Sequence, residues 1–256
     1  MKILCIADSE DERLLSSWST VRKARLEGVE LILSAGDLKP YYLEFLVTML
    51  NVPCLYVRGN HDMMYHDEPP LGCVCIEDDV AVLYEDPQTG YAILPEKDFA
   101  ARLRRILKSR KEGSDLRSAY PGGRIIRVAG LGGSMRYHEG RDMYTEKEME
   151  QRTRKLMRCK DMGLAGGSSF FSKHRTETSQ DTVDILLTHA PCRGYGDLDD
   201  LPHRGFACFN ELLERWHPAY HLYGHVHMEY GMIERETVHP SGTHMINVSG
   251  MYILDI

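Results

Sequence analysis

The sequence predicts an α/β protein with mixed sheets, and three observations carry that prediction. The first sixty residues repeat a short apolar run, a polar turn and a helix-like segment. Further on, RIIRVAGLGG, TVDILLTHA and AYHLYGHVH again run apolar segments into polar turns. Near the carboxyl terminus the apolar runs follow one another too closely for helices to lie between them. Alternating strands and helices imply parallel βαβ units, with functional residues in the loops after the strands. Closely spaced strands imply antiparallel pairing.

Taken in order, KILCIA is a strand, followed by a helical stretch that ends near Gly28, a residue suited to a left-handed cap. LILSA is the second strand, and GDLKP leads into the helix YYLEFLVTML, with Pro40 fitting its first turn. CLYV runs into RGNHD, and Cys73 and Cys75 read as small apolar residues on a short strand. Residues 95–113 read as an amphipathic helix with Phe99, Leu103, Ile106 and Leu107 on one face. It is an elaboration, over about 95–118, of a single domain spanning 1–256. Residues 163–179, rich in Gly and Ser, read as a mobile loop. The last strands are expected near Gly231–Arg235, Thr243–Asn247 and Tyr252–Ile256.

Composition narrows the class. At 256 residues, 43% hydrophobic and 27% charged, the chain resembles a folded protein with a sizeable core and not a disordered one. A net charge of −7 argues against a dedicated nucleic-acid binder. The basic face of 102–117, with Arg102, Arg104, Arg105, Lys108, Arg110, Lys111 and Arg117, is read as a solvated helix face. Seven cysteines, an odd number without CxxC spacing, fit a reducing compartment. Residues 1–8 are too short for a signal peptide, and no stretch approaches the ~18 apolar residues of a membrane span. A cytoplasmic protein without a membrane partner is expected; a homo-oligomer is compatible with the sequence.

The chemistry gathers at the strand ends. Asp8 and Glu10 follow KILCIA, Asp37 follows LILSA, Asn60 and His61 follow CLYV, His189 ends TVDILLTHA, and His225 and His227 lie in GHVH. In extended backbone Asp8 and Glu10 leave on the same side, while Asp11 and Glu12 suit the first turn of the next helix. Carboxylates beside imidazoles match Mn, Fe or Zn, and more than four such groups point to two ions. His66, His138, His174, His217, His239 and His244 fall outside this spacing, and His221 is expected to be packed within a strand.

In that order DSE, GD, GNHD, THAP and GHVH resemble the calcineurin-like metallophosphoesterase superfamily, whose pattern is DxH, GD, GNH followed by D or E, a lone H, and GHxH. The resemblance implies a four-layer α/β/β/α sandwich with metals at the strand ends. It implies that Asp8, Glu10, Asp37 and His227 hold one ion and that Asp37, Asn60, His189 and His225 hold the other, with Asp37 bridging. Glu10 departs from the pattern, standing where the family has His. The implied reaction is attack on phosphorus by a hydroxide between the two ions, with His61 serving the leaving oxygen and Asp62 orienting its ring.

The extra carboxylate favours Mn²⁺, and it favours a phosphodiester or nucleotide over a dianionic monoester. Arg136, Tyr137, His203 and Arg204 are expected to contact a small phosphoester substrate. The competing expectation is a non-catalytic metal- or phosphate-binding scaffold built on the same fold.

Overall fold

Residues 3–7 of the first strand are completely buried, because both faces of the strand are covered. A strand enclosed in this way reads as a continuous apolar run, which is how KILCIA reads. The computed structural model describes residues 1–16, 18–21, 25–86, 90–95, 125–165, 183–230 and 233–256. The expected helix from residue 96 onward, its basic face, and residues 166–179 of the expected loop lie outside them.

The elements run β1 (Lys2–Ala7), α1 (Glu12–Ser16), α2 (Trp18–Val21), β2 (Val29–Ser34), α3 (Pro40–Leu50), β3 (Cys54–Tyr56), β4 (Cys73–Cys75), β5 (Val80–Asp86), β6 (Gly90–Pro95), β7 (Ile125–Leu131), β8 (Ser134–Met135), β9 (Met143–Tyr144), α4 (Glu146–Ala165), β10 (Ile185–Thr188), α5 (Cys208–Trp216), β11 (Tyr220–Tyr223), β12 (Glu236–Val238), β13 (His244–Asn247) and β14 (Gly250–Asp255). One sheet has the order β14-β1-β2-β3-β4 and the other β12-β13-β11-β10-β7-β5-β6. In the first, β1 to β4 are parallel and β14 runs against β1. In the second, β7, β10, β11 and β13 are parallel, with β5 and β12 antiparallel to their neighbours.

Alternation along the strands builds the layers. Ile3, Cys5, Leu31 and Leu33 of one sheet share a buried cluster with Val128, Ile185, Leu187 and Leu222 of the other. Leu4, Ile6 and Ile32 point the opposite way, onto Leu14 of α1 and Tyr42, Leu43 and Leu46 of α3. Leu186, Tyr223 and Met245 face Met149 and Leu156 of α4 and Phe209 and Leu212 of α5. Helices, sheet, sheet and helices therefore stack in the α/β/β/α order of the calcineurin-like metallophosphoesterase fold.

Local chemistry fixes the helix ends. Pro40 opens α3, and Asn51 closes it in the left-handed region, its N–H donating to Val47 O. Thr145 and Glu148 exchange hydrogen bonds in a capping box at the start of α4. Glu146 of α4 accepts the N–H groups of Ala207 and Cys208, placing an acid at the start of α5.

Two expectations need correction. Of the strand placed at 231–235, residues 231–232 lie outside the described residues and 233–235 are not strand; the strand is Glu236–Val238, where the β12–β13 register begins, and the Arg235 guanidinium before it donates to Asn247 O and Ser249 O. Residues 163–165 are the last turn of α4 and not loop. The β5–β6 hairpin, antiparallel along its length, was not legible as a separate unit.

Candidate metal centre

Five loops meet where β1, β2, β3, β10 and β11 end, and their backbones approach closely. A Cβ on Gly59 would fall 2.0 Å from Asp37 Oδ1 and 2.7 Å from His189 Cε1. Only glycine leaves room there. Asp8, Asp37 and His225 have φ of 63°, 57° and 69°. The left-handed region costs a non-glycine residue about 1–2 kcal/mol, and such strain collects at functional sites.

Hydrogen bonds assign the ring nitrogens. A carbonyl only accepts, so His189 Nδ1, 2.7 Å from Ala35 O, carries a proton. Its Nε2 then faces two oxygens, Asn60 Oδ1 at 3.0 Å and Asp37 Oδ2 at 3.4 Å. The Asn60 Nδ2 donates to Tyr137 Oη at 3.4 Å, which puts the amide oxygen on the His189 side. His225 Nε2 likewise donates to Pro202 O at 2.7 Å, leaving the lone pair on Nδ1. Asp37, His189 and His225 each offer a ligand atom, all within 4.8 Å of one another.

Charge follows from this geometry. Burial alone would push the fully buried His189 down, but Asp37 and Asp8 outweigh it and raise the ring to about 9. Against its own burial, Asp37 is drawn down to about 2 by His189. Burial, reinforced by the charge on His189, lowers His225 to about 3. Asp8 is raised, chiefly by burial, although His225 N–H donates to both its oxygens at 2.9 and 3.0 Å. Without a cation the His189 ring must carry a second proton to face those oxygens. Two imidazole nitrogens, a carboxylate and an amide oxygen fit a divalent ion in that proton's place.

The other expected residues are placed as follows. Asp8 does not continue β1 in extended form: its φ is positive and Ser9 N–H closes onto Ala7 O at 2.6 Å. The two-residue spacing therefore fails to put Asp8 and Glu10 on one side. Glu10 accepts from the Tyr41 phenol and, at 3.3 Å, from Lys39 N–H beside α3. His227 stacks on Tyr230 with ring centroids 5.0 Å apart and is not among the donors gathered at Asp37.

His61 is exposed, its N–H bound to Asp37 Oδ1 at 2.8 Å. Asp62 Oδ2 accepts Asp37 N–H at 2.8 Å and Gly59 N–H at 2.7 Å, tying the two loops together. Burial and then the Asp37 charge raise Asp62 to about 7.

Arg136 donates to Met143 O at 3.2 Å and pairs with Glu148 at 2.9 Å. His203 lies beside the centre, 5.5 Å from the His225 ring, with Nδ1 on Asp200 at 2.7 Å. Arg204 donates to Asp199 O at 3.1 Å, and its buried Nε has no hydrogen-bond partner among the described residues. The Ala35 and Pro202 carbonyls and the Ser249 side chain, bonded to Asp8, escaped the sequence reading. Carbonyls leave no side-chain signal.

Comparison with known proteins identifies the family. The calcineurin-like phosphoesterase family matches residues 1–229, and the chain belongs to it. The family hydrolyses phosphoester bonds and generally binds divalent metals. It is similar to two Caenorhabditis elegans proteins. UPF0046 protein T07D4.2 is 42% identical over 52 residues, 19% of this chain and 13% of that protein. UPF0046 protein C25E10.12 is 32% identical over 78 residues, 26% of this chain and 28% of that protein. The matches thus span less than a third of the length of these relatives. A crystal structure with a TM-score of 0.50 and 14% identity covers 99% of this chain and 94% of its own, a likeness of fold.

Proposed function

We propose that the protein hydrolyses small phosphoesters, diesters or nucleotides ahead of monoesters, with two divalent ions of which manganese is the first choice. The observation that carries this reading is the His189 Nε2 facing Asn60 Oδ1 and Asp37 Oδ2 beside His225, a set of lone pairs that calls for a cation. Asp37, Asn60, His189 and His225 would hold one ion. Asp8, Asp37 and His227 would hold the other, and Glu10 joins them only by leaving the Tyr41 phenol. Bound divalent ions supply a nucleophile from water near neutral pH and screen the phosphoryl charge.

The chain's own residues do the rest. His61 stands exposed at the mouth, anchored through its N–H to Asp37, and donates a proton to the leaving oxygen. Asp62 keeps that loop against the Asp37 turn. A cleft of about 610 Å³ lined by Asp8, Glu10, Asp37, Lys39, His61 and Met64 opens beside the centre, within the ~300–1,000 Å³ of small-molecule sites. Its acids outnumber its one lysine, which disfavours a dianionic monoester relative to a monoanionic diester.

The test is reconstitution with Mn²⁺, metal analysis, and hydrolysis of bis(p-nitrophenyl) phosphate beside p-nitrophenyl phosphate. Two ions per chain and faster diester turnover are expected. The Glu10–Tyr41 bond favours a second reading, a metal-binding scaffold, and bound metal with no turnover of either ester would select it.

A further inference from the structure

β3 and β4 form the edge of the first sheet, and their register sets Cys54 opposite Cys73 and Tyr56 opposite Cys75. Registered partners on parallel neighbours project from the same face. Cys54 is buried on the face that packs against α3, and Cys73, half-buried, packs against the same cluster. The Cys54 thiol donates to Leu55 O and the Cys73 thiol to Leu71 O, each at 3.9 Å, so neither sulfur is bonded covalently. Adjacent strands stand ~4.7–4.9 Å apart, inside the ~4.4–6.8 Å between Cα atoms that a disulfide spans. The buried cysteines nearby are differently placed: Cys5 faces Tyr252 across β14, and Cys192 lies beside His221.

We propose that Cys54 and Cys73 are a modification site that closes to an intrachain disulfide at the expense of a low-molecular-weight disulfide of the glutathione class. The Cys73 thiolate attacks one sulfur of the oxidant and releases a small thiolate. Cys54 then attacks the Cys73 sulfur of the mixed disulfide, and its proton leaves with the second small thiol. Two protein thiols are oxidised to one disulfide while one small disulfide is reduced to two thiols.

The order of attack is built into the pair. The adjacent Cys54 side chain lowers the Cys73 thiol, whereas burial raises the thiol of Cys75, although Cys75 is the more exposed residue. Reactivity follows thiolate character as well as access, so Cys73 reacts first. The segment enclosed by the new bond carries Asn60, His61 and Asp62, so the disulfide ties the strand leading into the metal-centre loop to the strand that follows it.

The experiment treats the full-length protein with glutathione disulfide at mildly alkaline pH, alkylates the remaining thiols and maps the peptides. The expected product is a Cys54–Cys73 linked peptide pair with Cys75 alkylated, reversed by dithiothreitol. Cys54→Ala should instead accumulate the glutathione adduct on Cys73. Glutathione found on Cys75 alone, or a modified Cys73 with Cys54 still a free thiol in the wild-type protein, overturns the proposal. The wild-type map is decisive even if Cys54→Ala fails to fold.

Discussion

β10 and β11 bring two histidines into the interior with no exposed surface, His189 and His221, and their surroundings give them opposite charge states. Thr188 Oγ donates to Ala190 O at 2.6 Å, so His221 Nε2, 2.8 Å from that oxygen, must be the donor to it. The Cys192 thiol, 3.6 Å from Nδ1, occupies the remaining lone pair. His221 is thereby complete as a neutral ring, and burial lowers it to about 3. His189 has the same burial but faces Asp37 and Asp8, and it is raised to about 9. Burial makes a histidine neutral; uncompensated oxygens around it make a cation site.

The strongest way to break the contrast is to remove the oxygen both His189 and the ion depend on. Asp37→Ala should empty the centre and take activity below detection, a loss beyond the ~10–100-fold in metal affinity that outer partners typically cost. The same change should leave the His221 group intact. Metal analysis by mass spectrometry checks it, and retention of two ions would remove Asp37 from the ligands. His61→Ala acts on the reaction without touching this contrast. It should lower turnover by about 10²–10⁴-fold with metal content unchanged, read from kcat and metal stoichiometry on one preparation. Metal loss would make His61 a ligand.

Most of the architecture was legible in the sequence because parallel strands covered on both faces write continuous apolar runs. KILCIA, LILSA, CLYV and ILLT all became strands of the two sheets. The polar turns after the apolar runs were legible, but not the close approach that Gly59 makes to Asp37 and His189. What the sequence hid depends on backbone direction. The left-handed turn at Asp8 separated it from Glu10, and the Pro202 carbonyl that fixes the His225 tautomer comes from a distant loop. The partner of Arg136 was hidden for a related reason: Glu148 reaches it from α4, an element further along the chain.

The contrast can be sharpened with pH. The His221 value of about 3 in the folded protein lies below the ordinary 6.5, so the unfolded chain takes up the proton first. Its contribution to stability is complete above about 6.5 and is lost as pH falls from there towards about 3, by up to ~1.4 kcal/mol per pH unit. His221→Gln keeps a donor for Thr188 and an acceptor for Cys192 but does not titrate, so it should flatten the acid limb. Urea unfolding across that pH range measures both slopes, and equal slopes would show that His221 stays neutral for no energetic reason.

The smallest expected effect comes from Tyr137, which touches the His189 side of the contrast through one hydrogen bond. Asn60 is nearly buried, and its Nδ2 has Tyr137 Oη as a 3.4 Å partner, the contact that keeps Oδ1 turned to His189. In Tyr137→Phe the ring remains and the acceptor goes, leaving a buried N–H unsatisfied and the amide freer to turn. One such bond is worth about 0.5–1.5 kcal/mol, so metal affinity should weaken by roughly tenfold or less. A tyrosine that binds substrate directly would behave differently, raising KM while leaving metal affinity alone. Calorimetric titration with Mn²⁺ beside steady-state kinetics at saturating metal separates the two: weaker metal binding with unchanged KM places Tyr137 behind Asn60, and the reverse places it against the phosphoester.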